Sequence, residues 1–330
     1  MAGAARRSDD RAAVGLAEAS VASPACQAAT SPAIHTVALS KRFGGTIAVK
    51  SLSMTVRRGE VFGFLGPNGA GKTTVVKLLL GLSRPTGGEA LVLGAPLGDR
   101  EARRQIGYLP ELFRFQVLLT AREVLLLHCR LLGLRKSEWD AQARGALETV
   151  GLLERGDDRV GTFSKGMQQR LGLGVALLGD PRLVVLDEPT SALDPVGRHD
   201  VREIIRGLRE RGATVFLNTH LLEEAEHVCD RVAVIDKGVA LATGSLDELL
   251  GRQSRVRLKV SGLDPGWWMR LDRFGSWHQE DSEWVVLDGI DPPRIADMVE
   301  ELVGIGGRIE AVIPEHQSLE ARFLELLRER

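Results

Sequence analysis

Hydrophobic and polar positions divide the chain into stretches of different grain. From residue 33 to about residue 250, short unbroken apolar runs alternate with amphipathic segments. Val61, Phe62, Gly63, Phe64 and Leu65 make one such run, Leu183, Val184, Val185 and Leu186 a second, and residues 214–217 and 232–235 two more. A run of four or five apolar residues closed by glycine or polar residues marks a strand buried on both faces. Between these runs, residues 72–82, 201–210 and 221–228 repeat apolar side chains at helical spacing. Strands alternating with helices predict a mainly parallel sheet covered on both sides.

Residues 112–163 are leucine-rich at helical spacing with few strand signals, which predicts a helical insertion in this α/β frame. After residue 250 the pattern changes again. Trp267, Trp268, Trp277 and Trp284 fall close together, and the periodicity predicts strands at 256–260, 276–279, 283–287 and 308–313. Helices are expected at 265–273, 292–303 and 318–328. A βαββαβ order suggests a small ferredoxin-like α+β domain over 251–330, ending in an extra helix. Residues 1–32 are rich in Ala and Ser and mix Arg6, Arg7 and Arg11 with Asp9, Asp10 and Glu18. They are expected to be a disordered tail, and the acidic residues argue against a targeting presequence.

Composition narrows the function classes. The 330 residues are 44% hydrophobic and 26% charged, which suits about two globular domains. With 43 basic against 44 acidic residues, net charge −1, no global positive field draws nucleic acid. Cys26, Cys129 and Cys229 are scattered, so neither a disulfide framework nor a zinc site is expected, and the pattern fits a reducing cytosol. The most apolar window, 117–134, is broken by Arg122, Glu123, His128 and Arg130, short of the roughly 18–20 apolar residues that cross a bilayer. A membrane role would need another chain to do the spanning.

Two segments carry chemistry. Gly66, Pro67, Asn68, Gly69, Ala70, Gly71, Lys72, Thr73 and Thr74 follow an apolar strand and open a helix, with Gly66, Gly71, Lys72 and Thr73 at phosphate-loop spacing. Glycines let successive backbone N–H groups turn toward phosphate oxygens beside a positive helix end. Lys72 can reach β- and γ-phosphates, and the Thr73 hydroxyl suits magnesium. The run 183–186 ends in Asp187 and Glu188. Downstream of a phosphate loop, Asp187 is expected to hold magnesium, usually through water, and Glu188 to accept a hydrogen bond from the attacking water.

Over residues of about 35–245 the chain resembles the ATP-binding subunit of ATP-binding-cassette (ABC) transporters. Phe163, Ser164, Lys165, Gly166 and Met167 stand where that family has its LSGGQ signature, just upstream of the carboxylate strand. Ser191, Ala192, Leu193 and Asp194 resemble its D-loop, and His220 occupies its switch-histidine position. Phe43 stands where an aromatic residue stacks on adenine; plain packing is the other reading. Two departures are notable. Lys165 replaces a glycine and either places a cation near the site or faces solvent. Glu111 takes the position of the usual Q-loop glutamine; it can still meet magnesium or water through its oxygen, but it adds charge and loses an amide donor. Both variants are familiar in the branch that resembles drug, sodium and polysaccharide exporters and multisubunit copper-related systems.

The resemblance implies an ABC cassette of mainly parallel sheet, antiparallel β subdomain and helical subdomain, binding ATP and Mg²⁺. It implies a two-site dimer, with a second copy or a related subunit supplying Ser164–Gly166 to the nucleotide and Asp194 coupling the two sites. His220 would contact the γ-phosphate. It further implies transport, in the exporting direction, through a separate transmembrane permease docked on the helical insert, and hence a cytoplasmic protein peripheral to the inner face of the membrane, with no nucleic-acid partner. Soluble cassette ATPases acting on DNA or ribosomes are the alternative, but neither coiled-coil heptads nor a second phosphate loop is present. A GTPase or small-molecule kinase fits less well, since no NKxD-like guanine reader is evident. The clustered tryptophans are open to two readings, core or partner-binding patch.

Overall fold

The computed structural model describes residues 31–191, 193–250, 254–263, 266–281, 283–315 and 318–328. The expected tail over 1–32 lies outside them except for its last two residues.

The apolar runs form the centre of a six-stranded sheet. Its order is β10 (Val239–Ser245), β9 (Arg231–Asp236), β3 (Val61–Leu65), β8 (Thr214–Thr219), β7 (Leu183–Asp187) and β6 (Ile106–Leu109). Neighbours from β9 to β6 pair in parallel, and β10 closes the edge antiparallel to β9. Strands β3, β7 and β8 are buried along their whole length. Their alternate side chains serve two different cores, as a period of two requires. Phe62, Phe64, Leu183, Val185 and Phe216 face one core, shared with α1 (Lys72–Leu79) and a second sheet. Val61, Leu65, Val184, Leu186, Val215 and Leu217 face the other, shared with the helices of the insertion. The second sheet is antiparallel, in the order β2 (Thr46–Val56), β1 (Ile34–Phe43), β4 (Gly87–Val92), β5 (Ala95–Pro96).

Two helix boundaries differ from the periodicity for local reasons. Helix α1 stops at Leu79, three residues before the expected end, because Gly81 adopts a left-handed φ of 69°. The Gly81 N–H then donates to Leu78 O and the Leu82 N–H to Lys77 O, a Schellman closure. After the short α2 (Arg100–Arg103) come α3 (Ala121–Leu132) and α4 (Trp139–Thr149), the body of the insertion. Helix α3 opens on a complete capping box of Thr120 and Glu123 and closes on Gly133. Helix α5 (Lys165–Ala176) leads into β7. Helix α6 begins at Pro195, one and a half turns before the expected 201. Asp194 caps it and Pro195 occupies its first position, while the apolar stripe starts only at Val201.

Helices α7 (Leu222–Val228) and α8 (Leu246–Leu250) flank the β9–β10 hairpin. Beyond them a four-stranded antiparallel sheet runs β12 (Ser276–Gln279), β13 (Trp284–Ile290), β11 (Ser254–Ser261), β14 (Arg308–Glu315). This is the strand order of a ferredoxin-like split βαβ unit. Helix α9 (Arg294–Gly304) packs on it through Met298 and Leu302. The helix expected at 265–273 is instead a 3-10 turn over Trp267–Arg273. In that geometry Trp268 and Leu271, three residues apart, eclipse and both turn to the sheet. Trp267, Trp268 and Trp277 pack against this core, whereas Trp284 lies under the Arg257 guanidinium at 4.6 Å. Helix α10 (Leu319–Arg328) ends the described chain. None of the helices among the described residues is long and apolar enough to cross a membrane.

Phe216 is fully buried, with its ring 6.0 Å from Phe62 and 5.4 Å from Phe64. Replacing Phe216 by Ala should therefore cost about 3–5 kcal/mol of stability, read by denaturant unfolding. A loss of less than about 1 kcal/mol would mean that this stack does not tie the central sheet to the antiparallel one.

Candidate functional site

The phosphate-loop residues bridge β3 and α1, and their backbone is clamped from two sides. A Cβ on Gly71 (φ 102°) would meet Ala48 O of β2, and one on Gly66 would meet Ile235 O of β9. Gly238 N–H donates to Ala70 O at 2.8 Å, and Lys50 N–H donates to Gly238 O at 2.8 Å. Substitution by any side chain at Gly66 or Gly71 would push the loop off these neighbours. Helix α1, which the loop opens, has no side-chain cap and no acidic residue in its first turn. Its positive end therefore faces the loop without an internal counter-charge, which fits a phosphate.

Lys72 is buried, with Nζ 2.7 Å from Gly66 O and 3.4 Å from Pro67 O. Burial lowers its pKa, and the nearby Glu188, Asp187 and Glu111 carboxylates oppose that shift. Its ammonium also lies 3.8 Å from Glu188 Oε1. Asp187 and Glu188 end β7, 1% and 6% exposed. Asp187 Oδ1 accepts a hydrogen bond from Asn218 Nδ2, its register partner on β8. Burial raises the Asp187 pKa, and Glu111 and Glu188 raise it further, against the Asn218 hydrogen bond and Lys72.

Glu188 adopts φ 53°, a left-handed conformation that is unfavourable for a side chain of this size. Its N–H donates to Asn218 O at 2.8 Å, and its carbonyl accepts from Ser191 Oγ at 3.2 Å. The kink turns the carboxylate off the strand line toward Lys72 on one oxygen and His220 on the other. His220 Nδ1 is 2.8 Å from Glu188 Oε2, and Thr219 Oγ1 donates to the same oxygen at 3.4 Å. Ammonium, carboxylate and imidazole thus form one chain at the edge of the sheet.

Glu111 is exposed on the loop after β6 but close enough to act on both Lys72 and Asp187. It shares a cleft of about 360 Å³ with Lys165, Gln168, Gln169 and Ser191. The two departures from the family pattern thus line one groove. Ser164 caps α5, its Oγ accepting Met167 N–H at 3.2 Å, and Lys165 and the half-buried Gly166 follow in the first turn. This segment stands beside the Glu111 groove rather than on Lys72. Asp194 is likewise a cap, accepting Gly197 N–H at 2.8 Å. Phe43 is 53% exposed at the end of β1, with Lys41 Nζ 4.7 Å from its ring centre. Its register partner Thr46 starts the strand that carries Ala48 to the loop. Thr73 and Thr74 lie half-buried in the first turn of α1.

Sequence reasoning passed over Asn218 and Tyr108. Asn218 interrupts an otherwise apolar strand, a detectable signal, but its pairing with Asp187 depends on sheet register. Tyr108, on β6 beside β7, has its phenol pushed up to about 12 by burial and then by Asp187 and Glu111.

The donors present fit magnesium. Among the described residues no three His, Cys, Asp or Glu side chains form a metal cage. A Thr hydroxyl and one or two carboxylates, completed by phosphate and water, are instead the oxygen set that suits this ion. The upward shift of Asp187 marks buried negative charge that a divalent cation would relieve.

A phosphate loop after the first parallel strand, with a carboxylate pair at the tip of a parallel strand one removed from it in the sheet, defines a nucleoside-triphosphate-binding protein. A family model described as ABC transporter matches residues 49–191. An uncharacterized ABC transporter ATP-binding protein of Nostoc sp. is 41% identical over 282 residues, covering 84% of this chain and 82% of its own. Nod factor export ATP-binding protein I of Rhizobium sp. is 44% identical over 220 residues, 66% of this chain and 72% of its own. A solved ATP-binding subunit of an ABC transporter superposes with TM-score 0.60 at 32% identity, over 66% of this chain and 91% of that one. The chain belongs to the ABC transporter family, as one of its ATP-binding proteins. These relatives favour transport over the DNA or ribosome reading.

The raised pKa of Asp187 has a consequence for stability. An acid whose folded pKa lies above its unfolded value favours folding in acid and loses that advantage as pH rises from about 3.8 through the folded value. Asp187→Asn should therefore raise the melting temperature of the protein without nucleotide at pH 7, and the gain should vanish near pH 3. A lower melting temperature at pH 7 would show the carboxylate to be favourably placed as it stands.

Proposed function

We propose that this chain hydrolyses ATP with magnesium and powers export through a separate transmembrane permease. The observation that carries this reading is Glu188, held by a left-handed backbone between Lys72 and His220. Glu188 orients the attacking water and accepts its proton as the new bond to the γ-phosphorus forms and the bond to ADP breaks. Lys72, released from Gly66 O, binds β- and γ-phosphate oxygens, and the first-turn N–H groups of α1 share their charge. Magnesium, held by Thr73 and Asp187 with Glu111 beside them, supplies neutralisation of charge on the phosphates. His220 holds Glu188 on one side and contacts the γ-phosphate on the other. Phe43 stacks on adenine.

Residues 33–250 form the ATPase domain, with the helical subdomain at about 112–163, and 251–330 an accessory domain. Two cassettes pair, identical or related. The exposed Ser164, with Lys165 and Gly166 behind it, meets the other subunit's nucleotide and Asp194 couples the two sites. In this reading Lys165 faces the opposing phosphates. The permease docks on the insertion, where Leu112, Leu118 and Leu131 are exposed beside a cleft of about 350 Å³ lined by Pro110, Phe113, Phe115 and Leu127. The permease would hold the chain at the cytoplasmic face of the membrane. Export is supported by the Nod factor export relatives. A structural neighbour from Clostridium perfringens, with TM-score 0.61 and 26% identity over 66% of this chain and 90% of its own, is described as part of an ABC transporter complex, which supports assembly with membrane subunits.

Replacing Glu188 by Gln should keep ATP binding while lowering kcat by at least about 100-fold, measured as phosphate release. Turnover near the wild-type rate would remove Glu188 from this role. Lys72→Ala should weaken ATP binding by about tenfold or more, measured by titration with a fluorescent ATP analogue; unchanged affinity would contradict the phosphate-loop assignment.

A further inference from the structure

The end of the chain returns to the catalytic edge. Helix α10 packs on α7 and α8 rather than on the sheet that precedes it. Its first residue, Leu319, is fully buried in the same apolar core as Leu186, Leu217, Ala225 and Val228. The Leu319 N–H donates to Oε1 of Glu226 on α7. That N–H belongs to the first helical turn, which has no intrahelical acceptor, and the carboxylate also meets the positive helix end. Ser318 completes the turn, its Oγ accepting the Ala321 N–H at 3.1 Å.

Helix α7 depends on such neighbours. It has seven residues and no side-chain cap at its start, too little to hold a position alone. From α6, Arg206 Nη2 donates to His227 O at 3.0 Å, and Arg202 reaches Glu224 only at 3.7 Å. The other side is held by α10. The start of α7 is two residues from His220, whose ring sits 2.8 Å from Glu188. Any shift of α7 is therefore transmitted to the pair that faces the γ-phosphate.

We infer that α10 is a latch on α7, and that Leu319 and Glu226 are positioning residues that keep His220 against Glu188. The inference rests on the hydrolytic reading of those two residues. It assigns α10 a task in the ATPase cycle.

The test uses the full chain with Glu226→Ala, Leu319→Ala and Leu319→Ile, and Glu188→Gln as the reference for lost chemistry. Glu226→Ala and Leu319→Ala should each lower kcat by about threefold to tenfold with KM for ATP within about twofold, and Leu319→Ile should recover most of the rate. Hydrogen exchange should quicken at residues 219–228 and stay unchanged in β11–β14. If Leu319→Ala does not fold, Glu226→Ala, which removes the acceptor of the Leu319 N–H and leaves the core intact, decides alone. Wild-type kcat in these variants, with Glu188→Gln inactive, overturns the latch and leaves the hydrolytic reading standing. Persistent hydrolysis in Glu188→Gln overturns both.

Discussion

The structure depends on one electrostatic arrangement, a buried lysine and two buried carboxylates at the edge of an apolar sheet. Burial penalises the ionic forms of Lys72 and Asp187 there, so the charges depend on one another. Lys72 answers Glu188 and the loop carbonyls, Asn218 answers Asp187, and His220 takes the second oxygen of Glu188. Burial raises the Asp187 pKa, and the surplus negative charge of Glu111 and Glu188 raises it further. A site of this kind is incompletely balanced by its own residues, and in the proposed function a cation together with phosphate would complete it.

The fold supplies rigidity where that balance needs it. Strands β3, β7 and β8 lie adjacent and parallel, so the phosphate loop, the carboxylate pair and His220 emerge from one edge. Their apolar residues alternate between two cores, which pins the register and with it the Asp187–Asn218 pair. Against this frame a left-handed residue at Glu188 is sustained by Asn218 O and Ser191 Oγ. Strain of about 1–3 kcal/mol persists at such a position only when its surroundings over-determine it. The helical insertion and the signature segment lie outside the rigid edge, joined to it through Glu111 and Ser191 in a common cleft.

Much of this was legible in the residues. Unbroken apolar runs named the central strands, because a strand buried on both faces leaves no room for alternation. Residues 66–74 and the Asp187–Glu188 pair stood out by their spacing and by the apolar strands they follow, and the structure brings Lys72 to Glu188. The start of α6 was less legible, since its first turn is exposed and only Asp194 and Pro195 mark it. The turn at Trp267–Arg273 carried a helical period yet adopts 3-10 geometry, because seven residues between Gly266 and Phe274 are set by packing of Trp268 and Leu271. Three features could not be read at all. The left-handed Glu188 is sustained by Asn218 O, and the Asn218 hydrogen bond and the Glu226–Leu319 contact likewise join segments far apart in sequence that only the assembled fold brings together.

The most direct measurement is a crystal structure of the Glu188→Gln protein with ATP and magnesium. The expected result places the γ-phosphate within hydrogen-bonding distance of Lys72 Nζ and His220, with Lys72 withdrawn from Gly66 O and residue 188 still left-handed. A nucleotide bound elsewhere, or bound at the loop with Lys72 still on Gly66 O and residue 188 relaxed to an extended conformation, would contradict it.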